Sequence, residues 1–409
     1  MQNLIVFGGK GGVGKSTISS ATAVYLADQL KDKKILLISF DIAHNLSDLF
    51  EKNIGNDINQ ITNNLFAIEP DPDKYAERYI GELTKKARIL IKSSKLISMI
   101  PDLEAIITDS LKSKNIPLAM KNSLFFQSII DAENPMADIG EKQMRYKGID
   151  QDDSTPLEMR EIIPAFDILI CDFPPTGNMI ALFEVPQDNA QRSMKLTLRI
   201  MSAVQNSFNK IKKLAKLAKP AIWMAKSLIS DERNDDYRLD KEEQKNLAQD
   251  ILDILHDMEL RSSRISSIIR GIGSLRLVSI AEKPSFEEVK RARTMSEPYI
   301  SVDGLHINRL IPEDERGYSK YLDNIYLNQE KYQNLIKKEF SDLKIWESRL
   351  LDHPPIGIDG LMELGKDVYE STSIEDILNP LHRTLNNPEE KSSENPYQIK
   401  KIRNNWEDS

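Results

Sequence analysis

The chain has 409 residues, 40% of them hydrophobic and 29% charged, which is the composition of a globular protein with room for two or three domains. No run of 18 or more apolar residues is available to span a bilayer, and a net charge of −8 with an isoelectric point near 5.4 argues against nonspecific nucleic-acid binding. The single cysteine, Cys171, excludes an internal disulfide and any C-x-x-C zinc or cluster site within one chain.

Met1 to Asn3 lead directly into the first predicted strand, residues 3–7, leaving no room for a basic and hydrophobic signal segment, so a cytoplasmic location is expected. The next stretch is GGKGGVGKST, residues 8–17. Gly9, four further residues, then Gly14, Lys15 and Ser16 spell the G-x-x-x-x-G-K-[ST] pattern. The sequence SSATAVYLADQL then reads as a helix, so the loop joins strand to helix as that motif requires. Backbone N–H groups along Gly9, Lys10, Gly11, Gly12, Val13, Gly14, Lys15, Ser16 and Thr17 can then converge on an anion. Lys15 is expected to reach the β- and γ-phosphates of ATP, and the Ser16 hydroxyl to ligate Mg2+. That scheme leaves the second lysine, Lys10, without a task.

Further strands are predicted at 34–39, 65–69, 166–171, 275–280, 303–309 and 342–346, alternating with helical patterning. This is the pattern of an α/β fold: a doubly wound, mostly parallel sheet of the P-loop NTPase kind with an inserted helical subdomain. Cys171 falls inside one of the strands and reads as a buried structural residue. Two stretches, 72–150 and 187–265, interrupt the alternation with Leu, Ile, Met, Lys and Glu at helical spacing. In the second, Met194, Leu198, Met201, Phe208, Ile211 and Leu214 form an apolar stripe with lysines and an arginine largely off it, which suits either a core face or a partner-binding groove. Residues 1–383 are therefore expected to form one interrupted ATPase domain, and the polar residues 384–409 a disordered tail.

A P-loop ATPase also needs a carboxylate near magnesium and a group that orients the attacking water. Two strand ends offer them: Asp41 in ISFDIAHNLSDLF, residues 38–50, and Asp172 in FDILICDFPPTGN, residues 166–178. An aspartate at a strand end is by itself more often a turn former. Three such pieces in this order carry more weight.

Together GKGGVGKST, DIAHNLSDLF and DFPPTGN closely resemble the deviant-Walker-A ATPases of the ArsA type, which include arsenite-pump-driving ATPases and targeting factors for tail-anchored membrane proteins. HINRLIP, residues 306–312, is similar to that family's adenine-contacting loop, and HPPIGIDGL, residues 353–361, to its last strand-to-helix turn. The resemblance implies a homodimer that closes face to face around ATP and Mg2+. In it, Lys10 reaches the facing subunit's nucleotide, Asp41 orients or activates water, Asp172 stands behind magnesium through water, and Asn308 contacts adenine.

Ile42, Phe173, Pro174 and Asn178 depart from the family's usual residues, and the cysteines of its zinc and metalloid sites are absent, so no zinc site is expected. Three roles follow from the resemblance. The first is a targeting chaperone whose helical stretches, with Met99, Met120, Met194 and Met201, shield a client's hydrophobic helix. The second is a subunit energising a membrane pump for arsenite or another anion. A partition or septum-site ATPase fits least, since the acidic tail offers no DNA or membrane anchor.

Overall fold

The computed structural model describes residues 3–41, 45–71, 129, 166–180, 182–183 and 265–385. Of the two predicted helical stretches, only residues 129 and 265 fall within that set, and of the predicted tail only 384 and 385; the rest of these expectations lie outside the described residues.

Short β-branched and leucine-rich runs build a sheet that is covered on both sides, as expected of runs with little polar alternation. Its strands are β1 (Asn3–Gly9), β2 (Ile35–Ser39), β3 (Asn59–Gln60), β4 (Leu65–Ile68), β5 (Ile168–Asp172), β6 (Gly273–Ile280), β7 (Ser301–Leu310) and β8 (Lys344–Arg349). They lie in the order β3-β4-β2-β5-β1-β6-β7-β8, and every neighbouring pair is parallel except β3 with β4. Each predicted strand is present, and β3, a two-residue edge strand, is an addition.

Helices cover both faces. Leu4 and Val6 of β1 pack into one core with helix α3 (Lys283–Ser296) through Phe286, Val289 and Ala292, and with helix α4 (Lys320–Glu339) through Ile336. Ile5 and Phe7 face the opposite core, which holds helix α1 (Lys15–Gln29) and helix α5 (Gly357–Tyr369) through Ile18, Val24, Leu361 and Leu364. Two further short helices are α2 (Asn45–Leu49) and α6 (Ile374–Leu378). This is the doubly wound α/β architecture expected from the sequence. Among the described residues no helix is long and apolar enough to cross a membrane.

The strand order places the site. β1 is central, with β5 and β2 on one side and β6, β7 and β8 on the other. In open α/β sheets ligands bind beyond the carboxyl ends of the strands, at the point where the strand order reverses. The glycine-rich loop leaves β1 at that point.

Candidate active site

The loop between β1 and α1 is shaped by glycines that no other residue could replace without strain. Gly14, the residue before α1, has φ 90°, and a Cβ there would collide with Asn308 Nδ2. Gly9 has φ 148°, and a Cβ there would strike the carbonyl oxygen of Val278 on β6. At the loop's end α1 starts without a side-chain cap and without an acidic residue in its first turn. Its leading N–H groups and positive dipole end are thus left for an external anion.

Lys15 is 5% exposed, and its Nζ donates to the carbonyl of Lys10 at 3.2 Å, curling back over the loop. Burial lowers its pKa, while the neighbouring carboxylates of Asp172 and Asp41 act in the opposite direction. The three groups predicted from separate motifs therefore share one neighbourhood. Lys10 itself is exposed on the loop, as are Gly11 and Gly12, and Val13 is buried. Ser16 and Thr17 sit half-buried in the first turn of α1.

Asp172 ends β5 level with Phe7 of β1 and Ser39 of β2. It is fully buried, and burial pushes its carboxyl up to about 7 despite the Ser16 hydroxyl and the Lys15 ammonium beside it. Its Oδ2 accepts from Ser39 Oγ at 3.4 Å, whereas Oδ1 is buried with no hydrogen-bond partner. A buried, unsatisfied carboxylate oxygen next to a hydroxyl that can ligate is a donor set that fits hydrated Mg2+. Mg2+ bound there would neutralise phosphate charge. Among the described residues no cluster of three or more His, Cys, Asp or Glu could hold a metal without such help.

Asp41 follows β2, half-buried, with its N–H donating to Ser39 Oγ at 3.3 Å. The adjoining Phe40 N–H donates to the Asp172 carbonyl at 2.7 Å, so the two aspartate-bearing strand ends are tied together. Asn308 lies beneath the loop, 4% exposed. Its Nδ2 donates to the Val13 carbonyl at 2.9 Å, and its Oδ1 accepts from Ser348 Oγ at 2.7 Å. The contacts the structure gives Asn308 fasten the loop.

Two residues at the site were not read from the sequence. Glu69, buried just past β4, accepts from the Leu46 N–H at 2.7 Å and from Ser47 Oγ at 2.6 Å, and so holds the start of α2 in the segment that follows Asp41. The only hint in the sequence is an acidic residue closing the apolar run LFAI. Arg309, next to Asn308, donates from Nη1 to the Gly12 carbonyl at 3.2 Å.

Residues 2–135 and 148–370 match the anion-transporting ATPase family. A provisionally named arsenical pump-driving ATPase of Prosthecochloris vibrioformis is 28% identical over 377 residues, covering 92% of this chain and 77% of that protein. ATPase GET3 of Meyerozyma guilliermondii is 26% identical over 365 residues, covering 88% of each. ATPase GET3 of Komagataella phaffii is 51% identical over 75 residues, covering 18% of this chain and 22% of that protein.

Proposed function

The chain belongs to the anion-transporting ATPase family and is a P-loop enzyme that hydrolyses ATP; from that premise we propose that it works as a dimeric, Mg2+-dependent switch that chaperones hydrophobic transmembrane helices of tail-anchored proteins in the cytoplasm. Lys15 and the uncapped start of α1 bind the phosphates, Ser16 and Asp172 hold magnesium, and Asp41 orients water. Asn308 contacts adenine when nucleotide is bound. Lys10 completes the facing subunit's site, where it neutralises charge developing between the β- and γ-phosphates.

The observation that carries this reading is the route out of the phosphate site. β5 delivers Asp172 and then runs through Pro174 and Pro175 into the helical residues 176–180. Pro175 lies against Gly11, where an added Cβ would sit 3.7 Å from its ring, and Met179 packs directly on Gly8. In sequence the chain continues from this turn to the stretch bearing Met194 and Leu198, which lies outside the described residues, so a turn that answers to the γ-phosphate stands directly before that stretch. Methionines suit a groove that accepts varied apolar clients. The second reading, a subunit energising an arsenite or other anion pump, draws support from the names of several relatives.

Both readings meet one test. ATP-trapped Asp41→Asn protein is co-expressed with a tail-anchored substrate, with and without Met194→Asp and Leu198→Asp. A soluble complex lost with the two aspartates supports the chaperone. Absence of any such complex, together with copurification of a membrane permease, replaces it with the pump.

A further inference from the structure

Two consecutive residues at the carboxyl end of β7 grip two consecutive carbonyls of the glycine-rich loop. Asn308 Nδ2 donates to Val13 O at 2.9 Å, and Arg309 Nη1 donates to Gly12 O at 3.2 Å. Arg309 does this from a left-handed backbone, φ 59°, which a residue with a Cβ holds only where its surroundings impose it. The imposition is visible: Asn308 Oδ1 accepts the Arg309 N–H at 2.9 Å and is itself anchored by Ser348 Oγ. The pairing of β7 with β8 also shifts register between Ile307 and Leu310. Such a bulge re-aims side chains that regular strand geometry would send elsewhere.

The direction of a carbonyl fixes the direction of the next N–H, because the two are opposed across a planar trans peptide. Turning the Gly12 and Val13 carbonyls onto Arg309 and Asn308 therefore turns the N–H groups of Val13 and Gly14 the other way, into the concavity where an anion binds. We propose that Arg309 is a positioning residue of the nucleotide site: it holds the Gly12–Val13 peptide in its phosphate-binding orientation from outside the loop, and so sets affinity for nucleoside di- and triphosphates. This rests on the ATP-binding reading given above. Asn308 is buried and fully engaged, whereas Arg309 is exposed, so its side chain can be removed without opening a cavity.

The test compares wild type with Arg309→Gly, Arg309→Asn and Arg309→Lys in the full chain, measuring Kd for ADP and ATP, kcat, KM and Tm. Glycine and asparagine both tolerate left-handed backbone, so both variants should keep or slightly raise Tm. Each should weaken ADP and ATP binding about tenfold, the scale of one hydrogen bond from a charged donor, with KM rising in parallel and kcat near wild type. Arg309→Lys, which keeps a cationic donor, should recover part of the loss. Unchanged affinity in the folded glycine and asparagine variants overturns the proposal, as does a fall in kcat without a change in Kd. Failure of the wild-type protein to bind ATP at all would overturn the underlying reading before any variant is compared.

Discussion

Asp172 and His306 are both buried, and burial moves their proton affinities in opposite directions. Desolvation raises the Asp172 carboxyl to about 7. Desolvation and the nearby Arg276 hold His306 well below its ordinary 6.5; its ring is stacked on Trp346 at 4.9 Å. The signs follow from linkage. Between about pH 4 and 7 the folded protein binds a proton on Asp172 that the unfolded chain releases, so acidification through that window relieves a buried charge and stabilises the fold. Below pH 6.5 the unfolded chain binds a proton that His306 refuses, so acidification there destabilises it. The two slopes oppose one another in the overlap. Asp172→Asn, measured without nucleotide or Mg2+, should therefore raise Tm by about 2 to 5 °C at pH 8, and the gain should shrink to nothing as pH falls toward 4. On the acid side the variant should lose stability more steeply than wild type, because the His306 slope is then unopposed. It should also lose Mg2+-dependent hydrolysis. An equal or lower Tm at pH 8 would show that the buried carboxylate is compensated in a way its surroundings do not display.

At the scale of elements, α2 is held at its start by one side chain. It has five residues and no independent stability at that length, and Glu69 satisfies both the Leu46 N–H and the Ser47 hydroxyl at its start. Glu69→Ala leaves the buried Leu46 N–H without its acceptor, at a cost of about 1–3 kcal/mol, while Ser47 Oγ keeps the Ile54 carbonyl as acceptor at 3.0 Å. Since α2 follows the Asp41 segment, turnover should fall by at least about tenfold while ADP affinity stays near wild type, a split readable by steady-state assay and equilibrium titration. A second element-scale contact is the approach of α5 to α1 at Gly365, where an added Cβ would lie 2.9 Å from the Ala21 carbonyl and from Tyr25 Cβ. Gly365→Ala should force the helices apart and cost about 1–3 kcal/mol, seen as a lower urea midpoint with an unchanged slope.

These elements also show where reading the sequence succeeds. ILLIS and FDILIC were legible as strands because a sheet covered on both faces needs uninterrupted apolar runs. Asn59–Gln60 was not, because two polar residues pair only through backbone bonds to β4. The loop, Asp41 and Asp172 stand out because each motif is local. Glu69 and Arg309 do not, since one acts on a segment 23 residues earlier and the other on a loop 297 residues earlier. Only the folded sheet brings those partners together.

At the scale of the whole molecule the open matter is whether one chain holds a complete site. Within the chain, Lys15 turns inward over the loop and shares its surroundings with Asp41 and Asp172, while Lys10 contributes its carbonyl to Lys15 and is itself exposed. A phosphate already served by Lys15 and the start of α1 does not need that second cation from its own chain. A nucleotide in a facing subunit does, in the manner of an arginine finger. If the site is shared, each active centre takes Asp41 from one chain and Lys10 from the other. Lys10→Ala and Asp41→Asn should then each reduce hydrolysis by orders of magnitude as pure proteins, with nucleotide still bound by the aspartate variant. In a mixed dimer one centre combines the intact Lys10 of the Asp41→Asn chain with the intact Asp41 of the Lys10→Ala chain, and the other centre lacks both. Mixing equal amounts therefore puts half the chains into mixed dimers with one working centre of two, and activity should recover to roughly a quarter of wild type. Differently tagged chains, captured sequentially, establish that mixed dimers have formed. Proven mixed dimers with no recovered activity would place Lys10 and Asp41 in the same subunit's site and remove the reason for hydrolysis to require a face-to-face pair.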